Sequence, residues 1–218
     1  MVIFRMLSIL MLWGLGLTVV MMLVKTIVGS GAKLGSQKVH NKLKDAIAKL
    51  VAGLISFGKE EKQELAYNFQ KTQVNKTFSY GYFSTIFKEP VLAYAKIDTN
   101  KGGCQIMGET TTMTCELRYD GQETSVYIDS HLYGHIDADS GLSDAQGKEI
   151  VKLDCNSYPL YDVIKENDQP AAYIDKKSDT SGNKRFFTML NADIRLSTEV
   201  LVIYILYYKL IKTQPNNA

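Results

Sequence analysis

The sequence predicts an α+β protein: an N-terminal transmembrane helix, an amphipathic helix, then a mainly antiparallel sheet. Residues 6–24 (MLSILMLWGLGLTVVMMLV) carry no charge, and apolar residues recur at helical spacing between Val39 and Phe57. Beyond residue 90, alternating apolar and polar runs meet at turn dipeptides such as Asp120-Gly121. Helices followed by a run of strands is the α+β order. The boundaries expected from this pattern are a membrane anchor over 1–25, a basic amphipathic helical segment over 26–72, and a β domain over 73–218.

The first element is read from length. The nineteen residues of 6–24 rise about 28 Å as a helix, close to the thickness of a bilayer's hydrocarbon core. A cleaved signal peptide is the competing reading, with Arg5 ahead of the apolar run and Ser30-Gly31-Ala32 as its small-residue exit. The run is longer than signal peptides need, and Lys25 separates it from that exit. A single-pass signal anchor is therefore expected, with the soluble domain outside the cytoplasm. The lysines that follow the span would, by positive-inside counting, hold the domain in the cytoplasm.

The second element follows from spacing and charge. The apolar positions Val39, Leu43, Ile47, Leu50, Leu54 and Phe57 form one stripe on a helix from Gln37 toward Phe57, with Ser36 as its cap. Lys38, Lys42, Lys44 and Lys49 lie on the other faces. They are the candidate contacts with an anionic membrane surface or a partner. After Gly58, KEEKQELAYNF can resume as a helix. Six lysines and one aspartate between Lys25 and Lys49 contrast with a net charge of −4 over 50–218. Nucleic acid is not an expected partner, because the lysines are few and no aromatic residues interleave with them.

The sheet is read from its turns. Asp120-Gly121 between TTTMTCELRY and QETSVYIDSHLYGHID predicts a two-residue hairpin, with Arg118 opposite Glu123 and Leu117 opposite Thr124. Met113, Cys115, Leu117, Val126, Ile128, Leu132 and Ile136 then share the core face. The other face carries Asp129, His131, His135 and Asp137, the candidate metal ligands. On a single strand His131 and His135 would be about 13 Å apart and could not chelate together, so a solvated polar face is expected. The run DADSGLSD (137–144) hints at a calcium loop, but its glycine is misplaced for that pattern, and it reads as a polar turn.

Further strands are expected over 91–97, 148–154, 171–175, 184–190 and 198–211. The last contains VLVIYILYY, apolar on both faces as in a strand covered on both sides. Segment 162–168 reads as too short and polar to assign. A disulfide between Cys104 and Cys115 is a candidate if 104–115 forms a bulged hairpin. Asn75-Lys76-Thr77 is a glycosylation sequon.

No G-x-S-x-G, Walker loop, dinucleotide fingerprint or H-E-x-x-H occurs. No enzymatic activity and no cofactor is expected. The order of elements resembles that of pilin-like proteins and of single-span assembly factors of membrane complexes. Nothing in 6–24 is acidic, so the glutamate of the pilin processing signature is missing. The expected function is protein–protein contact within a membrane complex, with the bilayer and other subunits as partners. The alternatives are an anchored or secreted domain for a small ligand or ion, and a secreted enzyme.

Overall fold

The structure is a computed structural model that describes residues 37–99, 102–176, 184–191 and 196–213. The chain divides into two compact units between Lys42 and Leu43. In the first, residues 37–42 are helical and the Gln37 amide donates to Asn41 Oδ1 at 3.3 Å. The helix (α1) covers 37–51 in all, and α2 is Lys59–Glu64.

Twelve strands follow among the described residues of the second unit. β1 is Gln70–Asn75, β2 Phe78–Ser84, β3 Pro90–Asp98 and β4 Cys104–Glu109. β5 is Thr114–Tyr119, β6 Thr124–Ile128, β7 His131–Ile136 and β8 Gly141–Asp144. β9 is Glu149–Asp154, β10 Tyr161–Glu166, β11 Gln169–Asp175 and β12 Phe187–Leu190. Helix α3 covers Thr198–Tyr207 and continues as a π-helical turn, Tyr208–Lys212.

All twelve strands lie in one sheet in chain order, each antiparallel to the next. The sheet then meets itself. Residues 65–67, just before β1, pair with 184–186, just before β12: Tyr67 N–H donates to the Lys184 carbonyl at 2.7 Å, and Phe186 N–H to that of Leu65 at 2.6 Å.

The sheet curls around α3. Every residue of α3 from Val200 to Tyr207 is buried, and a helix that is apolar all round must be covered all round. α3 packs on β4 and β5. Its Tyr204 hydroxyl donates to the carbonyls of Ser140, beside β8, at 2.9 Å and of Val151 in β9 at 3.3 Å. The Tyr208 hydroxyl donates to Asp162 Oδ2 in β10 at 2.8 Å. Lys62 of α2 donates to Thr198 Oγ1 at 2.7 Å. Ser197 caps the N-terminus by accepting from Val200 N–H at 3.3 Å.

This architecture corrects the α+β expectation: the chain is mainly one antiparallel meander around a C-terminal helix. Among the described residues no helix is long and apolar enough to cross a membrane. Residues 6–24 and the Ser36 cap lie outside the described residues. The strand expected over 198–211 is helical, because a short apolar run does not distinguish a buried strand from a buried helix. The helical reading of 59–69 holds only to Glu64, after which Leu65 and Ala66 bridge Thr85 and Arg185. The boundary expected at 72/73 falls inside β1.

The central hairpin is also corrected. Tyr119 pairs with Thr124, Arg118 with Ser125 and Leu117 with Val126, two residues from the expected register. Asp120 Oδ1 accepts from the N–H groups of Gln122 (2.9 Å) and Glu123 (3.0 Å), which lengthens the turn to four residues. A slip of two preserves the faces, so Cys115, Leu117 and Val126 are fully buried. Leu132 is 43% exposed, since β6 ends at a second turn through Asp129 and Ser130, both at positive φ, and the β6–β7 pairing is bulged.

The helix sits tightly on the wall at Gly108 of β4, where an added Cβ would lie 2.5 Å from Leu206 Cδ1. Gly108→Ala is therefore expected to destabilise the protein by about 1–3 kcal/mol by overpacking. Leu206→Ala alone should cost about 2–5 kcal/mol. Denaturant unfolding of the double variant should show a combined loss smaller than the sum by about 1 kcal/mol or more. Additive losses would contradict the contact.

Candidate functional site

The turns place the expected site residues. Asp129 Oδ1 accepts from Thr114 N–H and Asp137 Oδ1 from Gly141 N–H, both at 2.8 Å. Asp144 and Asp154 each accept two N–H groups in their own turns in the same way. Short acidic side chains fold back on turn amides, so these carboxylates shape the connections. His131 Nδ1 lies 3.0 Å from the Asp129 carbonyl oxygen, whereas His135 Nδ1 lies 3.6 Å from Glu123 Oε1. Both histidines lie on β7, His131 as its first residue and His135 within the ladder opposite Ser125, so four residues of strand separate them. Among the described residues no group of three potential ligands converges on a metal position. The DADSGLSD run is a turn closed by Asp137 and Ser140 that leads into β8.

Lys38, Lys42, Lys44 and Lys49 are exposed on α1, while Leu43 and Ile47 are fully buried. Cys104 and Cys115 are both buried thiols. Cys104 pairs with Tyr119 while Cys115 pairs with Gly108. They therefore sit at opposite ends of the β4–β5 ladder, about 13 Å apart along the strands, beyond the reach of a disulfide. That corrects the proposed bridge. Burial pushes the Cys104 thiol up to about 11.

The residues that do converge were separated in the sequence. A polar cleft of ≈ 660 Å³ is lined by Ser140, Asp154, Cys155, Lys165, Asp168 and Lys212, among others. Lys212, the last residue of the π-helical turn, donates to Ser140 Oγ at 3.0 Å and Cys155 Sγ at 2.8 Å. Ser140 Oγ shares a hydrogen bond with the Tyr207 hydroxyl at 3.1 Å. Lys165 closes on Asp154 at 2.6 Å. Burial raises the Cys155 thiol, and the Lys212 hydrogen bond and charge oppose that rise. No local motif marks this cluster, because Lys212 lies just past a segment that reads as a strand and Ser140 acts from a turn at φ +65°.

A second feature is interior. Lys209 is buried, with its ammonium 3.0 Å from the centre of the Tyr67 ring and 5.7 Å from that of Phe186. Burial, then the Lys184 charge, pushes its pKa down to about 7, while the ring faces favour the ammonium.

The third feature is an edge. β1 pairs with β2 alone among the described residues, and all six of its residues are exposed. Val74 is 54% exposed and Phe87, beyond β2, is 64% exposed. No acidic residue occurs over 65–88, which contains Lys71, Lys76 and Lys88. No protein family matches the chain, and no curated protein and no solved structure shows detectable similarity to it.

Lys209 generates a pH dependence. Its folded pKa lies below its unfolded value, so the unfolded chain holds more protons between about pH 7 and pH 10.5. Stability should therefore rise with pH across that window and fall back as pH drops toward 7. Urea unfolding at pH 7 and pH 9.5 should show this rise in the wild type and a flatter profile in Lys209→Met. An unchanged profile would contradict a depressed Lys209.

Proposed function

We propose that the protein acts by protein–protein contact within a larger complex, and that β1 is the strand to which an extended segment of the partner adds. The observation that carries this reading is the exposed β1 edge, hydrogen-bonded to β2 on one side only among the described residues. Such an edge presents a row of backbone donors and acceptors to another strand. The lysines of 65–88 and the exposed Val74 and Phe87 suit a partner strand that carries acidic and apolar residues. They oppose a second copy of the same basic edge.

The filled interior supports the same reading. A small-ligand barrel keeps a lumen for its ligand, but here α3 occupies that position. Asp129 commits an oxygen to the Thr114 amide at the start of β5 and Asp137 one to the Gly141 amide of its own turn. The exposed lysines of α1 are a second candidate contact surface. Contact through β1 requires nothing of residues 6–24.

A photo-crosslinking residue at Val74, introduced into the full chain in its native cells, tests the reading. It should yield a crosslink to one defined partner. Lys71→Glu should lower that yield roughly tenfold, equivalent to about 1.4 kcal/mol. Recovery of monomer alone from Val74, or a yield indifferent to Lys71→Glu, would contradict docking at β1.

A further inference from the structure

Cys155 Sγ and Lys212 Nζ are 2.8 Å apart. That separation is the length of the hydrogen bond that the Lys212 amine donates to the thiol. It matches the span of a single bridging oxygen atom. The pair is also held in place. Lys212 Nζ is bound to Ser140 Oγ at 3.0 Å, and Ser140 Oγ to the Tyr207 hydroxyl at 3.1 Å. The amine therefore has one settled position beside the thiol, and both residues line the cleft, which admits small solutes.

We propose that Cys155 and Lys212 form an oxidant-dependent covalent bridge, Sγ–O–Nζ, with a peroxide as the oxidant. In the first step the thiol sulfur attacks peroxide. The O–O bond breaks, the sulfur is oxidised to a sulfenic acid, and one water leaves. In the second step the neutral Lys212 amine, its ammonium proton lost to solvent, and the sulfenic acid consume a second peroxide. One S–O–N linkage forms and two waters leave. In total, four electrons pass from the Cys155–Lys212 pair to two peroxide molecules. Thiol reductants reverse the reaction: they return four electrons, the bridging oxygen leaves as water, and the thiol and amine are restored.

The bridge would lie between the end of the C-terminal helix and the segment after β9. It would fasten the helix that fills the sheet to the wall around it and bind the cleft shut at that point. Cys104 and Cys115 offer no comparable site, since both are buried within the ladder away from the cleft.

Intact-mass analysis of the full chain, with and without hydrogen peroxide, tests the bridge. The expected result is a gain of about 14 Da, one oxygen added and two hydrogens lost, which dithiothreitol removes. Peptide mapping should join the Cys155 and Lys212 peptides and show no tryptic cleavage after Lys212. Cys155→Ser and Lys212→Arg should each abolish the gain; Lys212→Gln replaces the latter if circular dichroism shows that it does not fold. Addition of whole oxygens to Cys155 with Lys212 still cleaved by trypsin would overturn the proposal. So would a loss of two hydrogens, which signals a direct S–N bond, or a Cys155 that remains a thiol throughout.

Discussion

The structure depends on one constraint: α3 is apolar on every side and must be covered on every side. A one-sided amphipathic helix could lie on an open sheet, but Val200–Leu206 would then leave several large side chains in water, at roughly 1.5–3 kcal/mol each. A meander of short antiparallel strands is a chain-economical way to surround such a helix, because each new strand continues the wall by one turn. The pairing of 65–67 with 184–186 then brings the last strands back to the first. The small side chain at Gly108 lets the helix approach β4 closely.

The tyrosines of α3 and of the turn that continues it complete that arrangement. Each has a ring that belongs in the core and a hydroxyl that must find a partner there. Tyr204 reaches the Ser140 and Val151 carbonyls, Tyr207 the Ser140 hydroxyl and Tyr208 the Asp162 carboxylate. The helix is thereby fixed in rotation as well as depth. Lys209 and Lys212 leave the same end in different directions, one into an aromatic enclosure and the other into the polar cleft. The chemistry of the second unit is thus gathered at the C-terminal end of the helix, while its exposed edge lies at β1.

Much of the wall was legible and its centre was not. The strands expected over 91–97 and 171–175 are present as β3 and β11. The hairpin around Gly121 kept its faces despite a register displaced by two, because side chains alternate with period two and only the loop length was misjudged. β1 and β2 escaped notice since β1 is polar on both faces and offers no alternation. The decisive misreading was VLVIYILYY, whose β-branched and aromatic residues suit a strand, although Ser197 and Glu199 stand where a helix cap and first-turn acid belong. The cluster of Ser140, Cys155 and Lys212 was beyond the reach of spacing, since three separate segments build it only after the helix is inside the sheet.

Native-state hydrogen exchange of the amides of 201–210 tests the central claim most directly. If α3 is the core around which the sheet closes, these amides exchange only through global unfolding, with the free energy and denaturant dependence of the whole domain. Exchange of 201–210 at the rate of the exposed turns, while β3 and β4 stay protected, would show that the sheet holds together without the helix and would contradict the account.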